Sequence, residues 1–203
     1  MKKKINGGRS WFGVALMVAG GLLVLSAASL FLYNTAEDSR ASAAALSIAD
    51  ELSARIEERT ETSPHSGGAP AAVTSGAIYI DGETYIGVLR IPALSLSLPV
   101  MSDWSYDRLK ISPCRYSGAA EDDTMVIAAH NYRRHFGSIH LLPYGSELTF
   151  TDADGNTAVY AIAEIETLEA TDIKGMTASD YDLTLFTCTY GGAARLAVRC
   201  DRV

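Results

Sequence analysis

From Trp11 to Tyr33 the chain carries no charged side chain, and no other feature constrains its folding as tightly. The run is mostly Leu, Val, Ala, Gly and Phe. As a helix rising about 1.5 Å per residue, it can cross a bilayer core of ~30 Å. Lys2, Lys3, Lys4 and Arg9 precede it, and Glu37 and Asp38 follow. The positive-inside rule then predicts a cytoplasmic basic tail at 1–10, a transmembrane signal anchor at 11–33 and the remainder outside the cell. A cleaved signal peptide competes, because Ser26-Ala27-Ala28 and Ala27-Ala28-Ser29 offer small residues. The apolar run is longer than the ~7–15 residues of a signal-peptide core and continues through Leu30, Phe31 and Leu32, so an uncleaved anchor is expected.

Charge divides along the same line. The 203 residues include 17 basic and 24 acidic side chains, and setting aside Lys2, Lys3, Lys4 and Arg9 leaves 13 against 24, or −11, beyond residue 9. Such an acidic part lacks the basic stripes that neutralise phosphates, which excludes nucleic acid as a partner. Residues 34–60 read as a juxtamembrane helical stalk, with Ile48, Leu52 and Ile56 forming one narrow apolar stripe. A dimerising coiled coil would need more heptads than the segment holds. Residues 61–77, with Pro64, Gly67, Gly68, Pro70 and Gly76, read as a flexible linker.

From Ile78 to Val203 the punctuation is short and β-like. Ile78-Tyr79-Ile80, a turn at Asp81-Gly82, and Tyr85 to Ile91 suggest a hairpin. Leu94 to Leu98 alternates as a half-buried strand should, Ser102 to Ile111 reads as a short helix or loop, and Val126 to Ala129 as a buried strand. Glu147 to Thr151 and Thr157 to Ile165 flank a turn rich in Asp, Gly and Asn. Seven or eight such strands predict an all-β, closed or nearly closed barrel with short helices, following the transmembrane helix and stalk.

The chemistry gathers near the C-terminus. Thr184-Leu185-Phe186-Thr187-Cys188 reads as a strand ending in a thiol, Gly191-Gly192 as a turn, and Arg195-Leu196-Ala197-Val198-Arg199 as the returning strand. A thiol can act as a nucleophile, and a guanidinium across the hairpin can hold the oxyanion formed when a carbonyl is attacked. Val126 to Ala129 leads into His130, a candidate acid and base. Arg195 and Arg199 compete for the oxyanion role; the turn puts Arg195 nearer Cys188.

Taken together, these segments resemble the sortase family of bacterial surface transpeptidases. The family pattern is a Thr-Leu-x-Thr-Cys strand, an arginine in an Arg-Leu-x-Val context and a histidine ending an earlier strand, all present here in that order. The resemblance covers roughly Ile78 to Val203 and implies a sortase β-barrel with Cys188, His130 and Arg195 as catalytic residues. It implies a membrane-anchored, extracellular enzyme of Gram-positive type. Such an enzyme cleaves a Leu-Pro-x-Thr-Gly-like sorting signal and passes the acyl group to a cell-wall amine on a peptidoglycan precursor, with no cofactor. The alternatives are a thiol peptidase with water as acceptor, and a non-catalytic, membrane-tethered binding barrel. Pilus-building sortases carry an Asp-Pro-aromatic lid before the barrel. Residues 60–77 contain neither Asp nor an aromatic residue, which predicts an unlidded site. Thr167 to Asp182 is also too short for the long helix that class B members insert there.

Other polar residues have plainer readings. His65 falls in the linker, and His135 and His140 read as loop residues at the mouth of the site; no ligand set completes a zinc site with them. With Cys188 free, Cys114 and Cys200 are either a disulfide or two buried thiols. Asp152-x-Asp154-x-Asn156 opens like a calcium loop, but Thr157 stands where such a loop needs Gly and Ala163 where it needs Glu. Some class A sortases bind calcium through acidic loops, yet Glu121, Asp122 and Asp123 read as a solvated loop.

Overall fold

The computed structural model describes residues 11–62, 76–178 and 180–203. The chain forms two compact units, Met1–Ser39 and Arg40–Val203. Helix α1 (Trp11–Thr62) contributes to both. In the first unit, Trp11–Ala36 is a 26-residue stretch of mean hydropathy 2.3, long and apolar enough to cross a membrane, with none of it buried in protein. Leu22, Leu25 and Phe31 project uncovered from it, which water would penalise and lipid would not.

The second unit is built on nine strands. They are β1 (Ile78–Ile80), β2 (Glu83–Ile91), β3 (Leu96–Met101), β4 (Cys114–Ser117), β5 (Met125–Ala128), β6 (Glu147–Asp152), β7 (Thr157–Glu169), β8 (Leu183–Cys188) and β9 (Ala194–Arg202). Two short helices, α2 (Tyr106–Leu109) and α3 (Ile173–Thr177), sit in the connections. The sheet runs β1-β2-β3-β4-β5-β8-β9-β7-β6, and β6 pairs back onto β2. That seam closes eight strands into a barrel and leaves β1 as an appendage of β2. Most neighbours are antiparallel, but β3–β4 and β5–β8 are parallel.

Closure depends on one residue without a side chain. Gly87 lies at the seam opposite Asp152, where a Cβ would meet the Thr151 carbonyl oxygen at 2.2 Å. A bulge between Tyr85 and Gly87 bends β2 there, so its first half pairs with β1 and its second with β6.

Alternation gives the barrel two apolar layers. Leu89, Val100, Ile127, Leu185 and Val198 fill the interior, together with Phe136 and Ile139 from the loop after β5. Val88, Met101, Val126, Phe186 and Ala197 face outwards into a second cluster. The segment expected as a stalk, 34–60, is part of that cluster. Ala45, Ala49, Leu52 and Ile56 of α1 are buried, and Leu52 and Ile56 pack with Ile78, Ile80 and Tyr85. Around this stripe Arg55 donates to the Tyr79 carbonyl at 3.1 Å, and Ser53 Oγ accepts from Arg90 at 3.1 Å. Arg59 pairs with Asp154 at 3.4 Å. The segment expected as a helical stalk thus packs along the barrel face through this stripe.

Smaller differences have local causes. The strand expected from Leu94 starts at Leu96, because Pro92–Leu94 forms a 3-10 turn capped by Ser95 at φ 53°. Strand β4 is too short to show alternation in sequence. The segment between Ile165 and Leu183 holds an extension of β7 and the five-residue α3.

Candidate active site

Three adjacent strands assemble the site. Strands β5 and β8 run parallel with Val126 opposite Thr184, Ile127 opposite Leu185 and Ala128 opposite Phe186. Beyond β5 the pairing continues: the Ala129 N–H donates to the Phe186 carbonyl at 3.1 Å, and Thr187 Oγ1 donates to the Ala129 carbonyl at 2.8 Å. His130 lies two residues beyond Ala128, and Cys188 two beyond Phe186. On the other side the β8–β9 hairpin ends with Cys188 directly opposite Arg195. Arg195 thus lies across the ladder from Cys188, and His130 follows β5 towards the same end of the sheet. Ala128, Phe186 and Ala197 belong to the outer layer, and positions 130, 188 and 195 continue that alternation.

The three thiols differ sharply. Cys188 is partly exposed, while Cys114 and Cys200 are buried, and all three are free. Cys114 lies in the outer layer and Cys200 in the barrel interior, on opposite faces of the sheet wall, so they are two buried thiols and not a disulfide. Burial pushes both up to about 12, which leaves them essentially without thiolate near neutral pH.

The two arginines separate just as clearly. Arg195 Nη1 donates to the carbonyls of Gly192 at 3.2 Å and Ala194 at 3.1 Å, which holds its guanidinium at the hairpin turn. Arg199 is buried. Its Nε donates to Glu166 Oε1 at 2.8 Å, its Nη1 donates to Thr184 Oγ1 at 2.9 Å, and its remaining donors reach the carbonyls of Gly175 and Met176. Arg199 ties β9 to β7, β8 and α3.

The His130 ring stacks on Tyr132, with centroids 4.9 Å apart, and Tyr132 in turn meets His135 at 5.5 Å. Burial holds the His130 imidazole below its ordinary range, and the charge of Lys110 acts in the same direction. His140 is exposed as expected, but His135 is wholly buried and not at the mouth of the site. It enters with Phe136, whose side chain plugs the barrel; a single polar residue beside an apolar anchor gives no sign in sequence of which way it turns. His65 lies outside the described residues.

Sequence reasoning also missed an aromatic row. Phe186 meets Tyr116 edge-on at 5.2 Å, Tyr116 meets Trp104 at 5.2 Å, and Trp104 meets Tyr106 at 5.7 Å. Phe186 precedes Cys188 by two residues on the same face, so the row leads away from the thiol across the outer surface. Its signal was the cluster of Trp104, Tyr106 and Tyr116, unplaced because β4 was unrecognised.

The acidic segments are engaged in turns and pairs. Asp152 Oδ1 accepts from the N–H groups of Asp154 and Asn156 at 2.9 and 2.8 Å, closing the β6–β7 turn, and Asp123 pairs with Arg202 at 2.8 Å. Among the described residues no three His, Cys, Asp or Glu side chains converge as metal ligands.

A profile of the sortase domain matches residues 89–203, more than half of the chain. The chain belongs to the sortase family. Solved sortases share its fold. Sortase C1 from Streptococcus agalactiae is 24% identical with TM-score 0.54, over 76% of this chain and 89% of that one. Clostridium perfringens sortase C with its C-terminal cell wall sorting motif is 22% identical with TM-score 0.53, over 77% and 90%. A sortase D5 transpeptidase from Clostridium perfringens is 22% identical with TM-score 0.52, over 59% and 79%. At these identities the likeness is one of fold. No curated protein matches the sequence. The expectation that this sortase has an unlidded site falls on residues 60–77, of which 63–75 lie outside the described residues.

Proposed function

We propose that this sortase is a membrane-anchored, extracellular cysteine transpeptidase in which Cys188, His130 and Arg195 are the catalytic residues. The pairing of Cys188 opposite Arg195, with β5 parallel to β8 and leading into His130, supports this reading. The Cys188 thiolate attacks the carbonyl before the scissile bond of a sorting signal, taken here as the Thr of a Leu-Pro-x-Thr-Gly-like motif. The Arg195 fork stabilises the tetrahedral oxyanion. Protonated His130 gives its proton to the leaving amine as the C–N bond breaks, leaving a thioester on Cys188. An incoming cell-wall amine then loses a proton to His130, attacks the thioester and releases the thiolate. The aromatic row from Phe186 to Trp104 offers an apolar wall to the peptide on the acyl side. The basic residues ahead of Trp11 favour an N-terminus in the cytoplasm and the barrel outside.

Two measurements test this. Iodoacetamide should label the folded protein once, at Cys188, since the other two thiols are buried. With a sorting peptide and an amine acceptor, Cys188→Ala should form no acyl-enzyme, and Arg195→Lys should lose most of the rate because an ammonium lacks the planar fork. Arg199→Lys should instead lower stability by about 2–4 kcal/mol, since Arg199 is buried and paired. Continued cleavage by Cys188→Ala would remove the nucleophile from this reading; product formed only with water would make the enzyme a peptidase.

A further inference from the structure

The loop that follows β5 is a built structure and not a loose connection. The Phe136 N–H donates to the His130 carbonyl at 3.2 Å, and the N–H groups of His135 and Gly137 donate to the Tyr132 carbonyl at 3.0 and 2.9 Å. Phe136 and Ile139 anchor it in the barrel interior. Within this frame three rings stand in sequence, His130, Tyr132 and His135, with the first pair tilted by only 30°. Neither ring nitrogen of the buried His135 has a hydrogen-bond partner among the described residues.

We propose that Tyr132 is a positioning residue for acyl transfer: its ring face holds the His130 imidazolium for the reaction at Cys188, and His135 packs against Tyr132. This rests on the assignment of His130 above. The reaction needs His130 charged when the amine leaves, yet burial and Lys110 both oppose that charge. The groups that act on His130 are Lys110 after α2, His135, and the stacked Tyr132 on its own loop. Of these, Tyr132 can favour the cation without itself ionising near neutral pH, because the negative face of an aromatic ring attracts a cation within ~6 Å of its centroid. The 4.9 Å separation lies inside that range. The contact is stronger for imidazolium than for neutral imidazole, so it supports the form the chemistry uses. His135 meets the Tyr132 ring at 5.5 Å. Burial pushes it down to about 4, so it is neutral near pH 7 and adds no positive charge near His130.

The full chain in detergent micelles, with ¹³C-labelled histidine, allows the His130 imidazole to be titrated by NMR while acyl transfer is assayed in parallel. Tyr132→Leu should move the His130 titration downward and reduce kcat about tenfold with KM little changed, whereas Tyr132→Phe should keep both near wild type. Should the leucine variant not fold, pentafluorophenylalanine in place of Tyr132 keeps the ring's shape while reversing the charge of its face, and should have the same effect. An unmoved His130 titration in these variants would overturn the proposal, as would a Tyr132→Phe variant that loses as much as Tyr132→Leu. The titration needs no substrate, so it decides the role of Tyr132 even if the wild type transfers no acyl group, a result that would count instead against the function proposed above.

Discussion

His135 is the residue at which polarity and position conflict most. Its two ring nitrogens are buried with no hydrogen-bond partner among the described residues, a position that penalises a polar ring. It also couples folding to pH. Its ordinary value near 6.5 falls to about 4 in the folded chain, so between these the unfolded state binds more protons and stability rises with pH. Acidification from pH 7 towards 4 should therefore remove of the order of 3 kcal/mol from this one group. His135→Phe keeps a flat ring, removes the unpaired nitrogens, and should both stabilise the protein and flatten that dependence. Urea unfolding of the two proteins at several pH values would show it; parallel curves would mean that His135 is not the group responsible. Arg195 and Arg199 show the same contrast between type and place. Both face outward on β9, yet one ends beside the thiol and the other is enclosed by Glu166, Thr184 and the α3 carbonyls.

The element whose role differs most from its sequence pattern is α1. Its outer half repeats Ile48, Leu52 and Ile56 at four-residue intervals, which establishes a helix and one apolar stripe. What covers the stripe is set by the barrel, which presents Ile78, Ile80, Tyr85 and Val88 beneath it. Leu52 is wholly buried in that contact, so Leu52→Ala should cost about 2–5 kcal/mol through lost burial and the cavity left behind. Chemical denaturation would measure it, and a loss below ~0.5 kcal/mol would indicate a surface helix instead. The β8–β9 hairpin is the opposite case. Its Gly191-Gly192 turn and flanking strands are contiguous, so the pairing of Cys188 with Arg195 could be read directly from spacing.

At the scale of the molecule, the apolar span and the barrel unit make separable demands. A chain beginning at Arg40 keeps the whole second unit, including the α1 residues buried against the barrel, and should be soluble and as active as the full chain in detergent. A chain beginning at Ile78 uncovers the outer layer beneath α1, and should melt well below the first and aggregate. Calorimetry on both would test this, and equal melting temperatures would show the helix to be dispensable. The sequence by itself determined the uncharged span from Trp11 to Tyr33, the acidic balance beyond residue 9, the short strands and turns, and the thiol–guanidinium hairpin. Each is written in contiguous residues, as composition, period or turn chemistry. Only the tertiary structure decided that β5 lies parallel to β8, so that the strand leading into His130 runs beside the one ending in Cys188, that Gly87 lies at the seam onto β6, that α1 packs on the outer face, and that His135 is buried against Tyr132. Those are contacts between distant segments: periodicity marks which face of an element is apolar, but packing selects its partner.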